Sequence, residues 1–435
     1  MRQLFGTDGI RAKAYEYPLD EFTVYRLGFA LSKRFPGTIL IGRDTRESGP
    51  MIAGALVKGL TEGGASPVLI GVIPTPGVAY LCRTTDDALA GISISASHNP
   101  YQDNGIKIFG HDGMKLADAI EAEIEEDLER VALSGNTMTM FHRDDESPEL
   151  IEAYERFLIS GIPPGALSGK KVVLDTGYGA AYRIAPETFR RAGAEVVVIH
   201  DTPNGTNINE SSGALHPQRL AETVVQQNAD YGVAFDGDAD RAIFADDAGR
   251  IRDGDEIIYL WAKHLKLPLV VTTVMSNFGF EKQLKADGIE LVRAQVGDKY
   301  VLEQMLQRDA LLGGEQSGHI IDRTVHTTGD GIHTALVFGH ILGEIGAPFS
   351  RLRTFDPMPQ LLLNQQVRSK PPLESLPRYQ ESYAKAMQDL AGRGRILVRY
   401  SGTENLVRVM VEGEDEAQIR RIAEQLRDVL KEEIG

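Results

Sequence analysis

A pattern of strand, polar turn, helix, glycine and strand occurs three times along this chain, and it restricts the fold more than any other feature. The first copy runs Thr38-Ile-Leu-Ile-Gly-Arg-Asp-Thr45, a helical stretch over 51–62, then Gly63-Gly-Ala-Ser-Pro-Val-Leu-Ile70. The second runs Lys171-Val-Val-Leu-Asp-Thr-Gly177, a helical stretch over 180–191, then Ala192-Gly-Ala-Glu-Val-Val-Val-Ile199. The third runs Pro268-Leu-Val-Val-Thr-Thr-Val274, a helical stretch over 278–285, then Asp287-Gly-Ile-Glu-Leu-Val292. Units of this kind build parallel or mixed sheets, and near-continuous Val and Ile runs suit strands covered on both faces. The reading is an α/β chain of three related α/β domains with mixed sheets. The last segment differs, with strands over 395–400 and 406–411 and a helix carrying Ile419, Ile422, Ala423, Leu426 and Leu430 at helical spacing. It reads as a smaller α+β domain.

Domain boundaries follow from composition. The polar stretch 131–149 follows an acidic helix with Ile120, Ile124 and Leu128 on one face. Asp246-Asp-Ala-Gly-Arg250 reads as a hairpin turn, and Phe355-Asp-Pro-Met-Pro359 as a proline-marked break. These divide the chain into 1–148, 149–247, 248–357 and 358–435. A length of 435 residues agrees, since roughly three or four cores of ordinary size are needed to organise it. The single cysteine, Cys82, excludes an intramolecular disulfide and fits a reducing compartment. The first residues lack the apolar core of a signal peptide, and no apolar run approaches the roughly 18–20 residues that span a bilayer. A cytoplasmic protein is expected.

A net charge of −16 argues against nucleic-acid and acidic-membrane partners but not against small anions. A phosphorylated substrate would need positive charge concentrated locally. Arg11, Arg43, Arg46, Lys107, Arg241, Arg399 and Arg408 all stand in short contexts beside glycine-rich turns.

Four loops carry candidate chemistry. An alternating apolar strand (Leu89, Ile92, Ile94) runs into Ser95-Ala-Ser-His-Asn-Pro100, which presents the Ser97 hydroxyl beside His98 as a candidate nucleophile. Asp236-Gly-Asp-Ala-Asp-Arg241 follows the apolar strand 231–235 and offers carboxylates at alternate positions. Such carboxylates repel one another unless a cation sits among them, and oxygen-only ligands suit magnesium. An EF-hand loop requires glycine at its sixth position and glutamate at its twelfth; here stand Arg241 and Asp247, so that reading fails. Three exposed aspartates of an acidic protein are the plainer alternative. Gly313-Gly-Glu-Gln-Ser-Gly-His319 presents Glu315 and Ser317 for a sugar's vicinal hydroxyls, or is a simple turn with a satisfied histidine. Arg399-Tyr-Ser-Gly-Thr-Glu404 with Arg408 combines backbone N–H groups, hydroxyls and guanidiniums, the inventory of a phosphate site, or is an ordinary glycine turn.

Gly6-Thr-Asp-Gly-Ile-Arg11, Ser95-Ala-Ser-His-Asn-Pro100 with Asn104-Gly-Ile-Lys107, Asp236-Gly-Asp-Ala-Asp-Arg241, Gly314-Glu-Gln-Ser-Gly-His319 and Ser401-Gly-Thr-Glu404 stand in the order found in α-D-phosphohexomutases. The resemblance spans essentially the whole chain. It implies four domains around a central cleft and reversible transfer of phosphoryl between C6 and C1 of a hexose phosphate. Ser97 would be the phosphoserine, with a hexosamine 1,6-bisphosphate as intermediate and activator. Mg2+ would be held by Asp236, Asp238, Asp240 and a phosphoserine oxygen of Ser97. His98 and Lys107 would border the phosphoserine, and Lys107, Arg11 and His319 are the candidates for proton transfer or charge stabilisation. Glu315 and Ser317 would take sugar hydroxyls; Arg399, Ser401, Gly402, Thr403 and Arg408 would hold the phosphate that is not transferred.

Within the family, the Phe5-Gly-Thr-Asp-Gly-Ile-Arg11 opening, the sugar loop and Thr327-Thr-Gly-Asp-Gly-Ile332 resemble the branch acting on glucosamine phosphates. Phosphomannomutase/phosphoglucomutase activity is the alternative, and a non-catalytic sugar-phosphate-binding protein is the alternative from another class. Ser97, the aspartates and Lys107 together argue against the last. Ala239 and Ala12 replace glycines often found at these places, Tyr400 a lysine and Asn405 a proline, and 207–213 lacks a cysteine commonly seen there. The expected partner is a small-molecule sugar phosphate, with no nucleic acid and no membrane, for a monomer or homodimer.

Overall fold

The computed structural model describes residues 4–6, 8–131, 145–401 and 405–435. Among these, four sheets form. The first contains β1 (Ile10–Lys13), β2 (Thr38–Arg43), β3 (Ser66–Val72), β4 (Ala88–Ile94) and β5 (Asp103–Gly110) in the order β1-β5-β4-β2-β3. The second contains β6 (Lys171–Asp175), β7 (Glu195–Ile199), β8 (Tyr231–Phe235), β9 (Ala242–Asp246) and β10 (Ile251–Arg252) in the order β10-β9-β8-β6-β7. The third contains β11 (Leu269–Thr273), β12 (Glu290–Ala294), β13 (Leu312–Gly314) and β14 (Ile320–Asp322) in the order β12-β11-β13-β14. The fourth, β15 (Gln360–Gln366), β16 (Gly394–Tyr400) and β17 (Leu406–Gly413), is antiparallel with β17 central. The chain is α/β, as the sequence leads one to expect.

The first three sheets share one topology. In each, a parallel pairing (β2–β4, β6–β8, β11–β13) is followed by a strand that turns back antiparallel (β4–β5, β8–β9, β13–β14). Ile39, Leu40 and Ile41 on β2 and Val172, Val173 and Leu174 on β6 are all buried, which is why these strands read as continuous apolar runs. On β4 the pattern differs from expectation. Ile92 and Ile94 are buried, but Leu89 is 38% exposed. A period of two puts Leu89 on the opposite face, and Ala90 takes the inward position. Asp246-Asp-Ala-Gly-Arg250 is the hairpin between β9 and β10.

The helix Glu21–Arg34 starts where Asp20 accepts from the Thr23 N–H and carries Lys33 and Arg34 in its last turn, both favourable to the helix dipole. Its buried Leu27 and Leu31 join Leu56 and Leu60 of the helix Gly49–Gly63 in the first core, each such side chain contributing about 1.5–3 kcal/mol by leaving water. A Cβ at Gly59 would collide with the Tyr25 carbonyl oxygen, so only glycine lets the two helices approach this closely.

The chain forms two compact units: 1–273 with 292–353, and 274–291 with 354–435. The third repeat is therefore divided. Its helix Phe278–Ala286 belongs to the second unit, where the Asn277 side chain caps Gly279 and also bonds the Met358 backbone. Sheet three instead builds its core with Val301 and Met305 of the helix Asp298–Arg308 against Val271 and Ile321. In the second unit, Ile396, Val407, Val409 and Val411 pack on Ile419, Ala423, Leu426 and Leu430. The helix Glu416–Ile434 begins where Asp415 accepts from Ala417 and Gln418 N–H groups. No helix among the described residues is long and apolar enough to cross a membrane.

Candidate active site

Three of the sequence motifs occupy one equivalent position in three sheets. Each lies where a parallel strand ends and the chain returns as the antiparallel neighbour: Ser97 between β4 and β5, Asp236–Arg241 between β8 and β9, Glu315–His319 between β13 and β14. Carboxyl ends of parallel strands are where open α/β sheets place ligands.

Ser97 is fully buried, with φ of +51°, a left-handed conformation that costs a serine about 1 kcal/mol. Its Oγ donates to Asp236 Oδ2 at 2.6 Å. Gly237 makes this approach of two loops possible, because a Cβ there would overlap the Ser97 carbonyl oxygen. Asp236, Asp238 and Asp240 are all buried, and one carboxylate oxygen from each lies within 4.8 Å of the others. They are the one such group of three among the described residues. Asp238 Oδ2 accepts from Thr75 Oγ1 at 2.7 Å and from Lys107 Nζ at 3.0 Å, while Asp240 Oδ2 accepts from Lys107 at 3.3 Å. Asp238 Oδ1 and Asp240 Oδ1 are buried without a hydrogen-bond partner. Buried carboxylate oxygens left without a hydrogen bond are costly, and a hard divalent cation is the group this donor set fits.

The charges support that reading. Burial, then Asp240 and Asp238, push the Asp236 carboxyl up to about 8. Burial also opposes ionisation of Asp240, but Lys107 and His319 outweigh it and hold that carboxyl well below the usual range. Lys107 stays an ammonium, since Asp238, Asp8 and Asp240 outweigh its burial. His98 Nδ1 lies 3.2 Å from both Ser97 Oγ and an Arg241 Nη1 donor. Burial, Arg241 and Arg11 lower His98 to about 4, so it stands beside Ser97 as a neutral acceptor.

Arg11 and Lys115 both pair with Asp8, and Lys115 also bonds Asp298 at 2.6 Å. His319 lies 3.6 Å from Asp240 and from Asp298 and accepts from the Gly329 N–H at 2.9 Å. Burial lowers its basicity, but Asp240 and Asp298 raise the net pKa above the ordinary value. Arg11, Lys107, His319 and the aspartates thus form one charged network. Glu315, half-buried, accepts from Ser317 Oγ and the Gly297 N–H, each at 3.2 Å, and Ser317 is exposed.

Arg399, Ser401 and Arg408 belong to the second unit. Arg399 and Arg408 are direct cross-strand partners of β16 and β17. Burial and the Arg408 charge lower the Arg399 pKa, the electrostatics of a place that receives an anion. Gly402 and Thr403 lie outside the described residues.

One arginine is placed otherwise than the charge pattern suggested. Arg46 is fully buried and points its donors at Asp44 and at backbone carbonyls of the Ser97 loop, so it does not face a substrate phosphate. Sequence reasoning missed Thr75, Asn209, Lys115 and Asp298, and gave Asp8 no role although its motif was noted.

Family models for phosphoglucomutase/phosphomannomutase match four consecutive segments: alpha/beta/alpha domain I over 2–134, domain II over 153–249, domain III over 253–357 and the C-terminal domain over 362–429. The phosphoglucosamine mutase of Solibacter usitatus is 47% identical over 446 residues, covering 100% of this chain and 99% of its own. That of Syntrophobacter fumaroxidans is 44% identical, with 100% of both chains covered. A phosphoglucomutase/phosphomannomutase family protein from Burkholderia thailandensis shares the fold at a TM-score of 0.81 and 23% identity, covering 99% of this chain and 98% of that one. With a buried-serine loop, an aspartate triad and the Glu315–His319 loop at equivalent ends of three repeated sheets, and matches along the whole length, this chain belongs to the phosphoglucomutase/phosphomannomutase family of phosphohexomutases.

Proposed function

We propose that this chain interconverts glucosamine 6-phosphate and glucosamine 1-phosphate through a phosphoserine at Ser97 and a glucosamine 1,6-bisphosphate, in amino-sugar nucleotide (UDP-N-acetylglucosamine) and cell-wall precursor synthesis in the cytoplasm. The observation that carries the chemistry is the Ser97 hydroxyl 2.6 Å from the aspartate triad. The sugar is supported by curated relatives at 44–47% identity named phosphoglucosamine mutase.

The free C1 hydroxyl of glucosamine 6-phosphate attacks the phosphorus on Ser97 Oγ. The new O–P bond forms, the P–Oγ bond breaks, the sugar hydroxyl gives its proton to the Asp8–Lys107–Asp240–His319 network, and the leaving Ser97 Oγ takes one proton back from that network to become a hydroxyl. The bisphosphate then presents its C6 phosphoryl, which returns to Oγ by the reverse of these changes. Lys107 keeps its charge and donates toward the oxygens on which charge develops. Asp236, Asp238, Asp240 and a phosphoserine oxygen would hold Mg2+, which when bound offsets charge on the transferring group. Glu315 and Ser317 orient the sugar hydroxyls, and Arg399, Ser401, Gly402, Thr403 and Arg408 anchor the other phosphate.

The test is turnover of glucosamine, glucose and mannose phosphates with added 1,6-bisphosphate. The highest kcat/KM is expected for glucosamine phosphate. Equal or better turnover of mannose phosphate moves the assignment to phosphomannomutase/phosphoglucomutase activity.

A further inference from the structure

We propose that Arg46, with its partner Asp44, and Asn209 are positioning residues that hold the peptide of Ser97 still while its side chain is loaded and unloaded. The inference rests on the reading of Ser97 as the phosphoserine.

The hydrogen bonds around this peptide close on themselves. The Ser97 N–H donates to Ser95 Oγ at 2.9 Å, and Ser95 Oγ donates to Asp44 Oδ2 at 2.6 Å. The same Oδ2 accepts from Arg46 Nε at 2.8 Å, and Arg46 Nη2 donates to the Ser97 carbonyl at 2.9 Å. A path that leaves Ser97 through its N–H thus returns through its C=O. Arg46 also donates to the carbonyls of Asn99 at 2.9 Å, Asp103 at 3.0 Å and Pro100. From the second sheet's side, Asn209 Nδ2 donates to Ser97 O at 2.9 Å and to Asn99 O at 3.0 Å. Asn209 is itself left-handed at φ of +60°, and its N–H is held by Gly177 O at 2.9 Å.

The chemistry of the serine gives this ring its purpose. The side-chain hydrogen bond that Oγ donates to Asp236 needs the hydroxyl proton. A phosphoryl group on Oγ removes that proton and the tether with it. The peptide's ring involves no atom of the Ser97 side chain, so it persists in both states. Because Asp44 and Arg46 carry opposite charges in full contact, the ring adds little net field at the phosphoryl group. A left-handed serine released from the ring would relax toward ordinary backbone angles and swing Oγ away from the aspartates.

The test uses the full chain and the variants Asn209→Ala, Ser95→Ala and Arg46→Lys. Intact mass first establishes whether wild type carries phosphate that Ser97→Ala lacks. Quenched single turnovers then follow its transfer to glucosamine 6-phosphate, beside steady-state kinetics and thermal midpoints. Transfer should slow at least about tenfold in folded Asn209→Ala and Ser95→Ala. KM should stay within about twofold, because the anchoring of substrate is untouched. Arg46→Lys should be slower still, and if it does not fold the other two variants decide. Transfer rates in folded Asn209→Ala and Ser95→Ala within about twofold of wild type overturn the positioning role. Wild type without phosphate on Ser97 overturns the phosphoserine reading itself.

Discussion

At the scale of single residues, Ser97 combines a strained backbone with a hydroxyl aimed at carboxylates. Ser97→Ala should keep sugar-phosphate binding and lose nearly all turnover, and intact-mass measurement should find no phosphate on it. Near wild-type activity would contradict the mechanism. Asp238 supplies one oxygen to Thr75 and Lys107 and leaves the other unpaired. Asp238→Asn removes a charge from the cation site, so the magnesium concentration for half-maximal activity should rise at least about tenfold. An unchanged magnesium titration would take Asp238 out of the metal set. Ser97, the aspartates, Lys107 and Glu315 were legible because each stands in a short local motif. Asp298, Lys115, Thr75 and Asn209 were not, because their contacts reach across domains and leave no local spacing. Arg46 was visible but misread: a charge pattern does not distinguish a guanidinium that binds phosphate from one that binds carbonyls.

At the scale of elements, the βαβ repeats were readable because strands covered on both faces are apolar throughout and glycine marks each helix end. The division of the third repeat was not readable, because it depends on Asn277 reaching Met358. The close approach of two hairpin loops is a matter of one missing Cβ. Gly237→Ala places a methyl against the Ser97 carbonyl, so kcat should fall about tenfold or more while circular dichroism stays native. Full activity would mean the loops separate without consequence. On the fourth sheet, Arg399 and Arg408 sit opposite each other on neighbouring strands, a like-charge pairing that favours an anion beside it. Losing one charge-assisted contact costs on the order of 1.5–3 kcal/mol, so Arg408→Ala should raise KM at least about tenfold and leave phosphorylation of Ser97 by bisphosphate detectable. An unchanged KM removes this sheet from substrate anchoring.

At the scale of the whole molecule, His326 ties stability to pH. Burial, with His333 and Arg83, holds its pKa down to about 3, and its ring packs edge-on against Phe157. In the unfolded chain the same ring titrates near ~6.5. Between those values the unfolded state binds the extra proton, so stability falls as pH drops from ~6.5 toward 3, by about 1.4 kcal/mol per pH unit for one proton. His326→Gln should flatten the dependence of the urea midpoint on pH between pH ~4.5 and ~6 by one proton's worth; parallel curves would show that His326 already titrates normally in the fold. The equivalent placement of three loops in three sheets has a consequence for how such a molecule changes over generations. On the proposed reading, nucleophile, cation cage and sugar reader are each lodged in a separate copy of one scaffold, so mutation can rewrite Glu315 and Ser317 while Ser97 and the aspartates keep their own loops. His319, 3.6 Å from Asp240, is where that loop meets the cation cage, so a change of sugar preference is expected to spare it and to fall on its neighbours.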